Sequence, residues 1–160
     1  MDISIAPEPA DSADAVILIN ELQDYLAGLY PPTSLHGYSI SRLVTEEVAY
    51  FILRADHRPA GCGGLKIYPD YSEIKRVYVR PEFRGYGFGR ILMQHLEAYS
   101  REQGRELIRL ETGIYQPEAV GLYERMGYQK IQPFGEYEFD PLSLYFEKSL
   151  APTGRLPFNA

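Results

Sequence analysis

The chain has 160 residues, 45% of them hydrophobic and 24% charged, with a formal net charge of −6 and a pI near 5.1. This is enough chain for one domain, residues 1–160, with a proper core. The acidity excludes a general nucleic-acid or anionic-membrane binder, and no apolar run reaches membrane-spanning length. The acidic start MDISIAPEPADSAD lacks the basic and apolar regions of a signal peptide, and the single cysteine, Cys62, fits a reducing compartment, so a cytoplasmic protein is expected.

In chain order, residues 2–6 read as a short strand with Ile3 and Ile5 on one face. A helix follows, with Val16, Ile19, Leu22, Leu26 and Leu29 at helical spacing and Pro31-Pro32 as its stop. TSLHGYSISRL reads as a loop with a short helical turn. EVAYFILRADHRPAGCGGLKIY reads as two strands around a turn at Asp56–Pro59, and YSEIKRVYVR as a third. Simple alternation in that third strand puts Ile74, Arg76 and Tyr78 on one face and Lys75, Val77 and Val79 on the other.

A glycine loop then opens a helix with the stripe Ile91, Leu92, His95, Leu96 and Tyr99, ended by Gly104. ELIRLETG is a strand, and QPEAVGLYERMGY a short helix between Pro117 and Gly127. YQKI and LSLYFEKSL are strands flanking the acidic loop QPFGEYEFDP, and residues 151–160 read as a surface tail. The tight turn at 56–59 favours an antiparallel hairpin, while the strand–helix–strand unit 73–112 needs a crossover and can make parallel neighbours. The fold class is therefore α+β, a mixed, mostly antiparallel sheet flanked by helices.

The stretch RPEFRGYGFGRI carries Gly85, Gly87 and Gly89 between a strand and a helix. Such a loop aims main-chain N–H groups at one spot, where an anion can approach without a Cβ in the way. A P-loop needs a Lys-Ser or Lys-Thr pair that is absent here, and the dinucleotide fingerprint needs glycine where Arg90 stands. The pattern that is met is R-x-x-G-x-G, through Arg84, Gly87 and Gly89.

On that pattern, EIKRVYVRPEFRGYGFGRILMQHLEAYSREQG resembles the acyl-CoA-binding core of the GNAT superfamily of N-acetyltransferases. LETGIYQPEAVGLYERMGY is similar to that family's second core motif, with its L-Y-x-x-x-G-[FY] signature. The resemblance implies about six or seven strands and about four helices, with a splayed central strand pair forming the acyl-CoA cleft. It implies acetyl-CoA as acyl donor and no metal.

It also implies roles for particular residues. The loop Arg84, Gly85, Tyr86, Gly87, Phe88, Gly89 and Arg90 cradles the pyrophosphate, and Val77, Tyr78 and Val79 pair with the pantetheine arm and polarise the thioester carbonyl. Gln116 stands where the family commonly has a cofactor-contacting asparagine.

Acyl transfer to an amine needs the neutral amine and a proton for the departing thiolate. By the resemblance, Tyr123 is the general acid and Glu73 the base, with Glu111 or a water chain as rivals for the base. The expected acceptor is a small-molecule amine, drawn by Glu136, Glu138 and Asp140 among aromatics, and His36 could line its pocket. Alternatives are a protein N-terminus or lysine as acceptor, or a non-catalytic acyl-CoA sensor. A homodimer is a further implication of the family, for which 14 tyrosines supply amphipathic surface. Cys62 reads as a buried strand thiol and His95 as a core or boundary histidine, and three isolated histidines with one cysteine make no metal site.

Overall fold

The computed structural model describes residues 1–151; the rest of the tail expected at 151–160 lies outside that range. Seven strands form one sheet in the order β1-β2-β3-β4-β5-β7-β6. They are β1 (Ile3–Pro7), β2 (Ala49–Ala55), β3 (Arg58–Ile67), β4 (Ser72–Val79), β5 (Leu107–Gly113), β6 (Gln129–Ile131) and β7 (Ser143–Ser149). Every neighbouring pair is antiparallel except β4 and β5. The β2–β3 hairpin turns through Asp56 and His57, both at positive φ, as a tight two-residue turn requires.

Four helices cover the sheet: α1 (Ala13–Ala27), α2 (Ile40–Thr45), α3 (Phe88–Glu102) and α4 (Pro117–Arg125). The Ser12 hydroxyl caps α1 by accepting from Ala15 N at 3.2 Å, and Ser39 does the same for α2 through Arg42 N at 3.1 Å. The buried stripe of α1 is Ala15, Leu18, Ile19 and Leu22; Ile19 and Leu22 are as expected, while Val16 and Leu26 are half-buried and Leu29 is exposed. The helix stops at Gly28, ahead of the proline pair.

The core has two sides. On one, α1 and α2 pack Leu18, Leu22 and Leu43 against Ile52, Cys62 and Tyr78. On the other, α3 and α4 pack Met93, Leu96, Tyr123 and Met126 against Ile74, Ile108, Leu110 and Phe146. His95 lies at the boundary of this second side, its ring 4.6 Å from that of Phe51. Cys62 is fully buried, and burial pushes its thiol up to about 12.

Two irregularities of β4 make the site. Its pairing with β3 slips between Cys62 and Gly64, and Arg76 sits there at φ 55. This bulge breaks the expected alternation. Ile74 and Val77 both pack with the α3 side, while Lys75, Arg76 and Tyr78 all reach the α1 side. The second irregularity is that the parallel pairing of β4 with β5 consists only of Ser72↔Ile108 and Glu73↔Arg109. Beyond those residues the strands part, and a gap opens through the middle of the sheet.

Candidate active site

A cleft of about 540 Å³ runs from the glycine loop to the gap. Val77, Tyr78 and Val79 form one wall, the start of α3 another, and Gln116 to Arg125 of α4 the third. Gly85 and Gly87 adopt φ 88 and 80, the left-handed region that disfavours a side chain, and a Cβ at either would meet open space. Gly87 is the N-cap of α3, so the helix begins with its unpaired N–H groups facing the cleft. Gly89 has a different reason: a Cβ there would stand 3.1 Å from Leu122 of α4. The cradle is thus shaped for an anion, in a protein whose net charge is negative.

Eleven cofactor-binding residues were expected, and ten of them line this cleft. Tyr86 is absent from the lining; it is 57% exposed and stacks on Phe88 instead. Arg84 and Arg90 stand at the mouth with Arg125, which the sequence reading missed although it lies one helical turn from Gly121. Leu22 and Tyr25, a one-turn pair on α1, close the far wall and were also missed. Gly113 N donates to Gln116 Oε1 at 3.3 Å and the Tyr30 hydroxyl approaches it at 3.4 Å. The carbonyl end is therefore committed to the protein, and the NH₂ end is what Gln116 can offer the cleft.

Where β4 and β5 separate, the cleft meets a chamber of about 90 Å³. Leu22, Val77, Gln116 and Tyr123 line both spaces. Tyr123 is buried, and desolvation, helped by the nearby negative charge of Glu111, pushes its hydroxyl up to about 12. Glu111, Arg76 and His36 line the chamber with it. Burial raises the pKa of Glu111 above the ordinary carboxyl range, against an opposing hydrogen bond from Ser143.

Beyond His36 lies a third space of about 270 Å³, lined by Tyr38, Tyr68, Tyr137, Arg42, Lys75, Glu73 and Glu136. Leu35, His36 and Gly37 line both it and the chamber. Glu73 lies here, at the floor, and lines neither the cleft nor the chamber. Its Oε2 accepts from Lys75 Nζ at 2.8 Å and from the Tyr137 hydroxyl at 2.6 Å. Glu73, expected beside the reacting groups, is thus a buried, ion-paired residue at the last paired position before the strands part. Glu111, on the strand that lines the gap itself, stands nearer Tyr123.

The acidic loop also differs from expectation. Asp140 bonds His36 Nε2 at 2.7 Å, and Glu136 pairs with Arg42 at 2.8 Å. Two of the three acids meant to attract a cation are therefore already engaged by His36 and by Arg42 of α2. Among the described residues no group of His, Cys, Asp and Glu is arranged to hold a metal ion.

The architecture of a sheet split at a parallel pair, with a phosphate-type loop on one side and buried ionisable groups in the split, is that of an acyl-transfer fold. The model for the acetyltransferase (GNAT) family matches residues 18–128. The chain is 37% identical over 151 residues to an IAA acetyltransferase of Azospirillum brasilense, covering 93% of this chain and 99% of that protein. It is 31% identical to the uncharacterized N-acetyltransferase YsnE of Bacillus subtilis, over 84% and 91% of the two chains. Among solved structures, a putative acyl-CoA N-acyltransferase from Klebsiella pneumoniae is 33% identical with a TM-score of 0.79, over 92% of this chain and 97% of that one. This chain belongs to the acetyltransferase (GNAT) family.

Proposed function

We propose that the protein transfers an acetyl group from acetyl-CoA to the amine of a small molecule. The observation that carries this reading is the end of the β4–β5 pairing at Glu73 and Arg109, which joins an anion-cradling cleft to a chamber holding Tyr123 and Glu111. The N–H groups of Arg84 to Arg90 fit a pyrophosphate, with Arg84, Arg90 and Arg125 adding charge at the mouth. Val77 to Val79 and the Gln116 amide fit the amide-bearing arm. The acceptor spaces, about 90 and 270 Å³, suit a small molecule better than a protein chain. A reducing cytoplasm is the setting that the buried thiol of Cys62 suits.

The residues then divide the proton work. Glu111, ionised, takes a proton from the ammonium form of the acceptor, giving the nitrogen its lone pair. The nitrogen bonds to the acetyl carbon as the carbon–sulfur bond breaks, and Tyr123 gives its proton to the leaving sulfur. A hydroxyl with a pKa pushed up to about 12 is fully protonated at neutral pH, which suits an acid and not a base. The second proton lost by the nitrogen restores Tyr123. His36, with Nε2 held by Asp140, leaves Nδ1 as its free acceptor and offers the proton on Glu111 a way out.

Tyr123→Phe tests the assignment. Turnover, followed as free thiol released from acetyl-CoA, should fall about 100-fold while acetyl-CoA affinity by calorimetry stays within about twofold. Unchanged turnover would remove Tyr123 from the chemistry. Binding of acetyl-CoA with no turnover on a broad amine panel would favour a sensor.

A further inference from the structure

The chamber contains an enclosed guanidinium that makes no direct contact with a carboxylate among the described residues. Arg42, Arg54, Arg80 and Arg109 each meet a carboxylate. Arg76 is the most enclosed of these arginines, and its own bonds go only to neutral acceptors: Nε donates to the Tyr38 carbonyl at 3.0 Å and Nη2 to Gln23 Oε1 at 2.6 Å. It forms no ion pair among the described residues, and desolvation is the main force lowering its pKa. A buried charge without a counter-ion is costly and needs a reason.

The fold goes out of its way to put it there. By plain alternation Arg76 would point away from Lys75, into the apolar side covered by α3. The bulge holds it at φ 55, a strained conformation for a non-glycine residue, and so turns the guanidinium toward the chamber. Gly37 makes the space: a Cβ there would lie 2.5 Å from the guanidinium carbon. Glu111 lines the same chamber, so the space carries one acidic and one basic side chain.

We propose, building on the acetyltransferase reading above, that the acceptor is an amino acid: its carboxylate binds the guanidinium of Arg76 while its amine faces Glu111 and Tyr123. The small chamber takes the amine and carboxylate, and the 270 Å³ space lined by Tyr38, Tyr68 and Tyr137 takes the side chain. An amine without a carboxylate leaves Arg76 unpaired and binds less well. The reaction is the same transfer, giving an N-acetylamino acid, CoA thiol and a proton.

The test uses the full chain, acetyl-CoA, the twenty common L-amino acids, their carboxamides and the matching decarboxylated amines, with thiol release as readout. At least one amino acid should exceed its own amide and amine in kcat/KM by about 30-fold or more. Arg76→Gln should lower kcat/KM for that amino acid about 100-fold, leaving the amide, the amine and the KM for acetyl-CoA within about twofold. Arg76→Lys should recover part of the loss. Preference for amines or amides over amino acids overturns the proposal and leaves the acetyltransferase reading standing. An equal loss for all acceptors in Arg76→Gln assigns Arg76 to the donor and overturns it too. If Arg76→Gln does not fold, the wild-type preference alone decides. No transfer to any amine, with acetyl-CoA bound, overturns both readings together.

Discussion

Between Arg84 and Arg90 the donor cleft is made of consecutive residues and main-chain geometry, whereas the acceptor side is made of side chains that meet across the sequence. Gly85 and Gly87 shape the cradle by their φ angles alone. On the other side Arg76 bonds Gln23 and Tyr38, Lys75 bonds Tyr137, and His36 bonds Asp140, contacts that span 38 to 104 positions. A donor common to a whole family suits a site built from backbone, which binds phosphate regardless of the side chains around it. An acceptor that differs between relatives suits a site of exchangeable charges. The place where the two meet is the gap, whose chamber both Tyr123 and Glu111 line.

The largest expected effect is at that junction. Glu111→Gln should lower kcat by about 10²- to 10⁴-fold, with acetyl-CoA binding unchanged. Because burial raises this carboxyl, its basic form is present only above the raised pKa, so wild-type turnover at saturating acceptor climbs with pH through that value and the variant's does not. Stability should respond in the opposite sense. The folded pKa lies above the ordinary 4.5, so protonated Glu111 favours the fold below about that pH and its contribution fades as pH rises through the folded value. Denaturant titrations of Glu111→Gln across pH 4–8 should therefore show a flatter profile. Unaltered turnover would return the role of base to Glu73 or to a water chain.

The same contrast explains what could be read from the chain. The glycine loop, Tyr123 and the order of elements are carried by local patterns, namely φ-permissive residues, helical spacing and a signature within α4. Nothing local announces the bulge. EIKRVYV alternates well enough to hide it, and only the register against β3 shows that Gly63 faces an extra residue. With the bulge unseen, Arg76 falls on the wrong face and its missing partner goes unnoticed. The acidic loop misled for a related reason: Glu136 and Asp140 look unpaired in sequence because Arg42 and His36 are about a hundred positions away.

A smaller effect tests whether the donor side is backbone alone. Gly87→Ala places a side chain at φ 80 with nothing nearby to clash, so the cost is conformational, about 1 kcal/mol. Steady-state kinetics should show the KM for acetyl-CoA rising about fivefold, with the acceptor KM unmoved. A change in the acceptor KM instead would mean that the two halves are coupled through α3.

The smallest effect concerns the acidic loop. Glu136 is 74% exposed and shares Arg42 with Glu46, so Glu136→Gln removes a surface pair of about 0–1 kcal/mol. Its acceptor KM should change by less than about threefold, and less still at high salt. This is the sharpest contrast available with Arg76, because the two residues stand for opposite ideas of what the acceptor carries. An acceptor recruited by its positive charge would feel the loss of Glu136 and be indifferent to Arg76. One recognised by its carboxylate would do the reverse. A KM rising about tenfold or more in Glu136→Gln for an amine without a carboxylate would give recognition back to the acidic loop, and the unpaired charge of Arg76 would then need another explanation.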